Sequence, residues 1–240
     1  VQGVEDYEPR FLPSVGAIVP AMGGSVRASL KQGYRTPSFR ELYLFGINNP
    51  NLRPETTRQL EVGFHRALPS RGELDVALFT IRASDLIQMG PRPAGLPGTT
   101  PSTYVNTPAT NLSGAELNLR HTFTPSVSGY LNYSYLNPGA ARAYNAMHKG
   151  GLGGDYARGR LRLSADLQWY DRMWGVDKAS KVVRVPGFVV ANARVRYQIG
   201  PAYDLWVGVE NLFDREYVLD PSFPYAMPGR AFTLGIRARR

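Results

Sequence analysis

Two glutamates, three histidines and a scatter of aromatic and arginine side chains are the residues of this 240-residue chain with chemistry to offer. Glu61 alternates with Gln59 and His65, and Glu116 with Asn118 and Arg120, each on the polar side of an alternating segment. Carboxylates placed this way favour bidentate arginine partners, and Arg27 and Arg120 are partners available within the chain. Glu73, Asp75 and Asp171 show no paired-carboxylate spacing and have no nucleophile beside them, so the sequence gives no indication of an enzyme. With no cysteine, disulfide scaffolds, Cys-ligated zinc, iron–sulfur clusters and thiol catalysis are excluded. The three histidines lie far apart, which gives no metal-ligand spacing. His65 and His121 read as strand or interface histidines, and His148 stands at a loop–strand junction within reach of a loop ligand. No cofactor-binding motif is present.

A second group lies in long Gly/Pro-rich connections: Tyr43, Phe45, Arg92, Tyr144, Trp174, Tyr217, Phe223 and Tyr225. Aromatic planes and guanidinium groups bind flat or anionic molecules well, so these residues are candidate ligand contacts. The other reading is that the aromatics belong to a belt at a membrane interface. The net charge is +9, but its 24 Arg and 4 Lys are scattered along the chain. A nucleic-acid-binding domain gathers its basic residues on one face, so nucleic acid is not an expected partner.

The elements that would position these residues follow from a period of two. In 160–172, Leu161, Leu163, Ala165, Leu167 and Trp169 alternate with Arg162, Ser164, Asp166, Gln168 and Tyr170. In 189–199, Val189, Ala191, Ala193, Val195, Tyr197 and Ile199 alternate with a set that includes Asn192, Arg194, Arg196 and Gln198. Successive side chains point to opposite faces of a strand, giving one oily and one polar face. A helix would spread the same polar residues round its cylinder. The pattern predicts strands at 9–19, 25–34, 56–67, 73–82, 111–123, 127–136, 146–156, 161–173, 187–199, 204–210 and 230–239. Four glycines blur the alternation in 146–156.

Connections alternate between short turns, as at 20–24 and 68–72, and long loops, at 35–55, 83–110, 137–145, 174–186 and 211–229. An all-β antiparallel meander with turns on one side and long loops on the other is the layout of an outer-membrane barrel. No apolar run approaches the roughly 20 residues of a membrane helix, but a barrel strand needs only about 10 alternating residues. The polar faces carry Arg, Asn, Gln, Ser, Tyr and Asp rather than the Lys and Glu of soluble surfaces, which suits an enclosed polar interior.

Three stretches are similar to a known family. Tyr34-Arg35-Thr36-Pro37-Ser38-Phe39-Arg40-Glu41-Leu42-Tyr43, with Asn49-Pro50-Asn51-Leu52-Arg53-Pro54-Glu55 and Leu60-Glu61-Val62-Gly63, resembles the barrel signature of TonB-dependent outer-membrane receptors. Leu112-Ser113-Gly114-Ala115-Glu116-Leu117 resembles the strand opening that follows it there. Val209-Glu210-Asn211-Leu212-Phe213-Asp214-Arg215-Glu216-Tyr217, with Met227-Pro228-Gly229-Arg230-Ala231-Phe232, resembles the closing segment.

The resemblance implies a 22-stranded transmembrane barrel in the outer membrane of a Gram-negative bacterium, filled by an N-terminal plug and energised through a TonB box. Residues 1–240 would be the C-terminal part of that barrel, with plug, TonB box and the remaining strands outside this chain. Expected partners are outer-membrane lipid, the plug and remaining strands, the TonB complex and a small-molecule metal chelate. Glu61 and Glu116 match the barrel-wall glutamates that pair with plug arginines. The implied function is energy-dependent uptake of a scarce ligand, a ferric siderophore or other metal chelate; the alternatives are a cobalamin- or haem-type receptor of the same family and a passive porin-like channel. Arg27, Lys31, Arg120, Arg160, Arg162, Arg172, Arg194, Arg196, Arg237 and Arg239 are expected to outnumber Glu61, Asp75, Glu116, Asp166, Asp204 and Glu210 on the lumen face. That excess would favour an anionic or neutral ligand.

Overall fold

The computed structural model describes residues 10–69, 71–139, 145–177, 181–223 and 225–238. In chain order the elements are β1 (Ser14–Ala21), β2 (Gly24–Arg35), α1 (Phe39–Tyr43), β3 (Glu55–Leu68), β4 (Gly72–Ser84), β5 (Ile87–Pro91), β6 (Ser102–Asn106), β7 (Thr110–Thr124) and β8 (Val127–Asn137). There follow β9 (His148–Arg158), β10 (Leu161–Tyr170), β11 (Met173–Val176), β12 (Val182–Val185), β13 (Phe188–Ile199), β14 (Tyr203–Glu210) and β15 (Ala231–Ala238). Eleven strands pair in the order β1-β2-β3-β4-β7-β8-β9-β10-β13-β14-β15, an antiparallel meander with β1 and β15 at its edges.

Each sheet strand matches one of the segments that alternation predicts, with shifted ends. β1 starts at Ser14 rather than at residue 9. Residue 9 lies outside the described residues, and residues 10–13 carry no strand. β10 stops at Tyr170, and Met173 opens a separate strand. The sequence reading left three elements inside loops: α1 and the hairpins β5–β6 and β11–β12. Their alternating runs are too short to stand out. Turn chemistry agrees with the topology: Met22 and Gly23 both take positive φ, 53° and 71°, the handedness that a two-residue hairpin turn requires.

Register carries the two faces across the sheet, with one shift at the turn end of β7–β8, between Thr122 and Thr124. One row runs through Ala28, Val62, Leu78, Ala115 and Tyr135, and another through Leu131, Leu152, Leu167 and Ala191. The apolar face is open to its surroundings, with Leu78 60% and Leu234 72% exposed. A soluble sandwich would have buried such a surface. The opposite, polar face is the concave one and holds a cleft of about 400 Å³ that Glu116, Asn118, Tyr130, Asn132, Lys149 and Gln168 line from β7, β8, β9 and β10. By register Arg162 pairs with Arg196 and Arg194 with Ser164 on the polar face, while Leu163 and Val195 pair on the other face.

The glycines of β9 have a packing role. Space beside Gly150 is occupied by the Trp169 ring and space beside Gly153 by the Tyr130 ring. A Cβ at either position would collide with an aromatic ring, so the alternation blurs because rings from neighbouring strands fill both faces.

Candidate functional site

On the concave face of β2–β4, charges are paired. Arg27 donates from Nη1 and Nη2 to the two carboxylate oxygens of Asp75 at 2.7 and 2.9 Å, and from Nε to Glu61 at 3.4 Å. Gln59 donates to the other Glu61 oxygen at 3.3 Å, and His65 Nδ1 lies 3.7 Å from Asp75. Glu61 therefore sits within a barrel-wall cluster. Glu116 stands exposed on the same face in a cleft of about 400 Å³ with Asn118, Asn132, Lys149 and Gln168, and no hydrogen-bond or ion-pair partner for it occurs among the described residues.

The register corrects the expected positive excess on this face. It adds Arg35 and Lys149 to the concave side, but also Glu55, Glu73 and Asp155. Arg160 falls in the β9–β10 turn and Arg172 beyond β10, and Arg239 lies outside the described residues. Acidic and basic groups on the concave face of the strands therefore balance. Positive charge is only locally concentrated, where Arg162 faces Arg196 and Arg194 faces Ser164 across β10–β13.

At the loop end the first signature builds a rigid platform. Arg35 forks onto Glu55, at 2.8 and 2.7 Å, and onto Glu41, at 3.0–3.2 Å. Ser38 and Glu41 form a capping box at the start of α1, satisfying backbone donors that the helix leaves open. Burial by itself raises the Glu41 carboxyl pKa, but hydrogen bonds from Arg35 and Ser38 outweigh it and hold the pKa below its ordinary value. Arg53 pairs with Asp85, Asn106 bridges the carbonyls of Arg53 and Asp85, and Thr103 donates to the carbonyl of Ile47 or Asn48. The Ser-x-x-Glu spacing at 38–41 was a readable signal of the cap; the Arg35–Glu55 pairing is long-range and had none.

Arg92 belongs to the same platform. Its guanidinium donates to the carbonyls of Thr100, Pro97 and Gly46 at 2.7, 2.7 and 2.6 Å and to the Thr100 hydroxyl at 2.6 Å. These contacts fix the 85–109 loop against 36–54 and leave little of the group for a ligand. Tyr43 and Phe45 stand on the platform's outside, 44% and 73% exposed. Tyr43 lies against Phe39, and Arg40 lies over the Phe45 ring.

A second cluster closes the other side of the rim. Phe188, 6% exposed, is stacked between Tyr170 and Tyr217 with centroids 4.9 and 4.3 Å apart. Asn211, 4% exposed, accepts the Arg215 backbone N–H and donates to the carbonyls of Arg215 and Pro228. Asp214 accepts the Arg230 N–H at 2.7 Å, so the closing motif ties its own loop. Trp174 in β11 is half-exposed, and Phe223 and Tyr225 are exposed, at 63% and 77%. Tyr144 lies outside the described residues. The candidate ligand residues thus form two separate groups, and Tyr217 is anchored in a stack. Sequence reasoning missed Tyr170 and Phe188, which meet only through the pairing of β10 with β13 and so leave no local signal.

The three histidines separate. His65 is on the concave face beside Asp75, His148 bonds the Tyr133 hydroxyl at 2.7 Å on the apolar face, and His121 contacts Phe123 at the turn end.

Comparison with known proteins agrees with this geometry. The family model described as TonB dependent receptor-like, beta-barrel, matches residues 3–212. The heme/hemopexin utilization protein C of Haemophilus influenzae is 26% identical over 82% of this chain and 32% of its own length. The vitamin B12 transporter BtuB of Vibrio vulnificus is 26% identical over 79% of this chain and 30% of its own length. The chain thus spans about a third of the length of the curated relatives it matches. Among solved structures, the Pseudomonas aeruginosa FpvA–pyoverdine–iron complex superposes with a TM-score of 0.75 over 95% of this chain and 33% of that one, at 18% identity. The siderophore receptor PiuA of Acinetobacter baumannii gives 0.75 over 94% and 35%, at 19% identity. With a family model covering most of its length and an eleven-strand meander of the matching fold, the chain belongs to the TonB-dependent receptor-like β-barrel family.

Proposed function

We propose that this chain is the C-terminal part of the barrel of an outer-membrane receptor of a Gram-negative bacterium. It takes up a ferric siderophore or other metal chelate, with energy supplied through TonB. The observation that carries the reading is the pairing of a continuous apolar face, open on eleven strands, with a concave polar face. In hydrocarbon the unpaired edges of β1 and β15 would cost several kcal/mol per open backbone group, so further strands of the same barrel pair with them. A plug fills the concavity, and Glu116, exposed and without a partner among the described residues, is its arginine contact, while Glu61 shares its charge with Arg27. Tyr43, Phe45, Trp174, Phe223 and Tyr225 present aromatic surface to the chelate, with Tyr217 and Arg92 holding the loops that carry them.

Siderophore receptors among the structural neighbours support the chelate. The curated relatives support a second reading, haem or vitamin B12. The positions of the histidines favour the chelate, because neither His65 nor His148 projects from a rim loop. The test is uptake of labelled ferric chelates and haem by cells carrying the full receptor, with and without TonB. TonB-dependent accumulation of a ferric chelate is expected. TonB-independent entry of small solutes of any charge would identify a passive channel and overturn the proposal.

A further inference from the structure

Among the described strand residues, Lys, Arg, Asp and Glu on the apolar face come to four arginines: Arg66 and Arg158 at the turn end, Arg58 and Arg82 at the loop end. No carboxylate of the sheet strands shares that face. Arg58 and Arg82 are direct partners across β3–β4, which sets their Cβ atoms about 5 Å apart. Both are exposed, and neither has a hydrogen-bond or ion-pair partner among the described residues. Gln32 and Asn111 flank them in the same cross-strand row, so two guanidinium groups stand between two amides.

Directly below runs the row Leu30–Leu60–Thr80, and below that Ala28–Val62–Leu78. Like charges facing each other destabilise a sheet unless an anion lies between them. Two planar guanidinium forks suit the several oxygens of a phosphate. Apolar strand surface begins at the next row, so the anion that fits is one attached to acyl chains.

We infer that Arg58 and Arg82 clamp the phosphate headgroup of an outer-leaflet lipid, with Gln32 and Asn111 as flanking hydrogen-bond donors. The acyl chains lie along Leu30, Leu60 and Leu78. This rests on the outer-membrane placement proposed above.

The full receptor, reconstituted in phosphatidylcholine vesicles doped with diphosphorylated lipid A, is re-extracted in detergent and the lipid A retained per protein is measured by native mass spectrometry. Arg58→Gln and Arg82→Gln should each reduce retention about fivefold, while Arg194→Gln on the concave face should leave it unchanged. Lipid A stripped of its phosphates should be retained no better by wild type than by the variants. Unchanged retention in the Arg58→Gln/Arg82→Gln double variant, with folding verified by heat-dependent gel mobility, would overturn the inference. So would equal retention of dephosphorylated lipid A. Inorganic phosphate alone should show no saturable binding; saturable binding lost in the variants would assign the pair to a free anion instead. A receptor that stays in the aqueous phase without detergent refutes the membrane placement itself, an outcome distinct from loss of the lipid site.

Discussion

The two loop clusters at the rim of the sheet are held by different physics. Around α1, the 36–54 and 85–109 loops are fixed by charge: Arg35 between Glu41 and Glu55, Arg53 on Asp85, and Arg92 on a ring of carbonyls. Across the rim, the 171–187 and 211–230 loops depend on the buried amide of Asn211 and the Tyr170–Phe188–Tyr217 stack. The first cluster depends on protonation state; the contacts of Asn211 and Phe188 do not. A barrel wall can therefore display aromatics on two platforms that respond differently to pH.

The largest expected effect is on the stacked side. Phe188→Ala removes a ring buried between two others and should cost about 3–5 kcal/mol. Hydrogen exchange should show loss of protection at the Leu212 and Arg215 amides, which bond to Ala191 and Asn211. The Leu42 and Asn49 amides of the charged platform should keep theirs. Equal loss on both sides would mean that the clusters are one cooperative unit. The reciprocal change, Arg35→Met, leaves two largely buried carboxylates without their shared cation. It should cost about 2 kcal/mol, since hydrogen bonds to charged groups contribute about 1.5–3 kcal/mol and Arg35 is itself half-exposed. Here Leu42 and Asn49 should lose protection while Arg215 does not.

Acid should reproduce the second result in milder form. Hydrogen bonds from Arg35 and Ser38 depress the folded pKa of Glu41 against an opposing burial effect. A depressed carboxyl contributes stability that is fully present above its unfolded pKa of about 4.3 and is lost as pH falls through the lower folded value. Protection at Leu42 should decline over that acidic interval before protection at Leu212 does. A simultaneous decline would remove the distinction drawn between the two platforms.

Much of the sheet was legible from sequence because side-chain alternation is local. Leu161–Tyr170 and Phe188–Ile199 carry their faces in the order of their residues. Strand ends were less legible: Ser14 and Tyr170 are set by where pairing stops, a property of the partner strand. The candidate site was mostly illegible for the same reason. Arg27 meets Asp75 across 48 positions, and Arg92 meets Gly46 across 46, and no spacing rule connects such residues. The expected excess of lumen arginine failed because it rested on the ends of strands. Arg160 and Arg172 leave the face once the turn and the end of β10 are placed, and Glu55 and Glu73 join it. The first and third motifs that carry the family resemblance proved to be loop fasteners, with Arg35, Glu41 and Asn211 at their centres, whereas the second lies within β7.

The smallest expected effect concerns sign rather than size. On the concave face Arg27 sits on Asp75 with two short hydrogen bonds, whereas Arg162 faces Arg196 with no carboxylate partner among the described residues. Both pairs are partly open to solvent, so each coupling is modest, about 0.2–1 kcal/mol. The couplings should nonetheless oppose each other. In a double-mutant cycle, Arg27→Gln and Asp75→Asn should each destabilise the folded receptor, and the pair together should cost less than the sum. Arg162→Gln and Arg196→Gln should each be neutral or stabilising by a few tenths of a kcal/mol. The second of these should gain nothing once the first has removed the repulsion. Raising salt should shrink both couplings toward zero by screening. Thermal unfolding in detergent at low salt reads all four variants and both doubles. If the Arg162–Arg196 cycle proved attractive, an anion must already bridge those two guanidinium groups, and the contrast between the Arg27–Asp75 and Arg162–Arg196 pairs would fail.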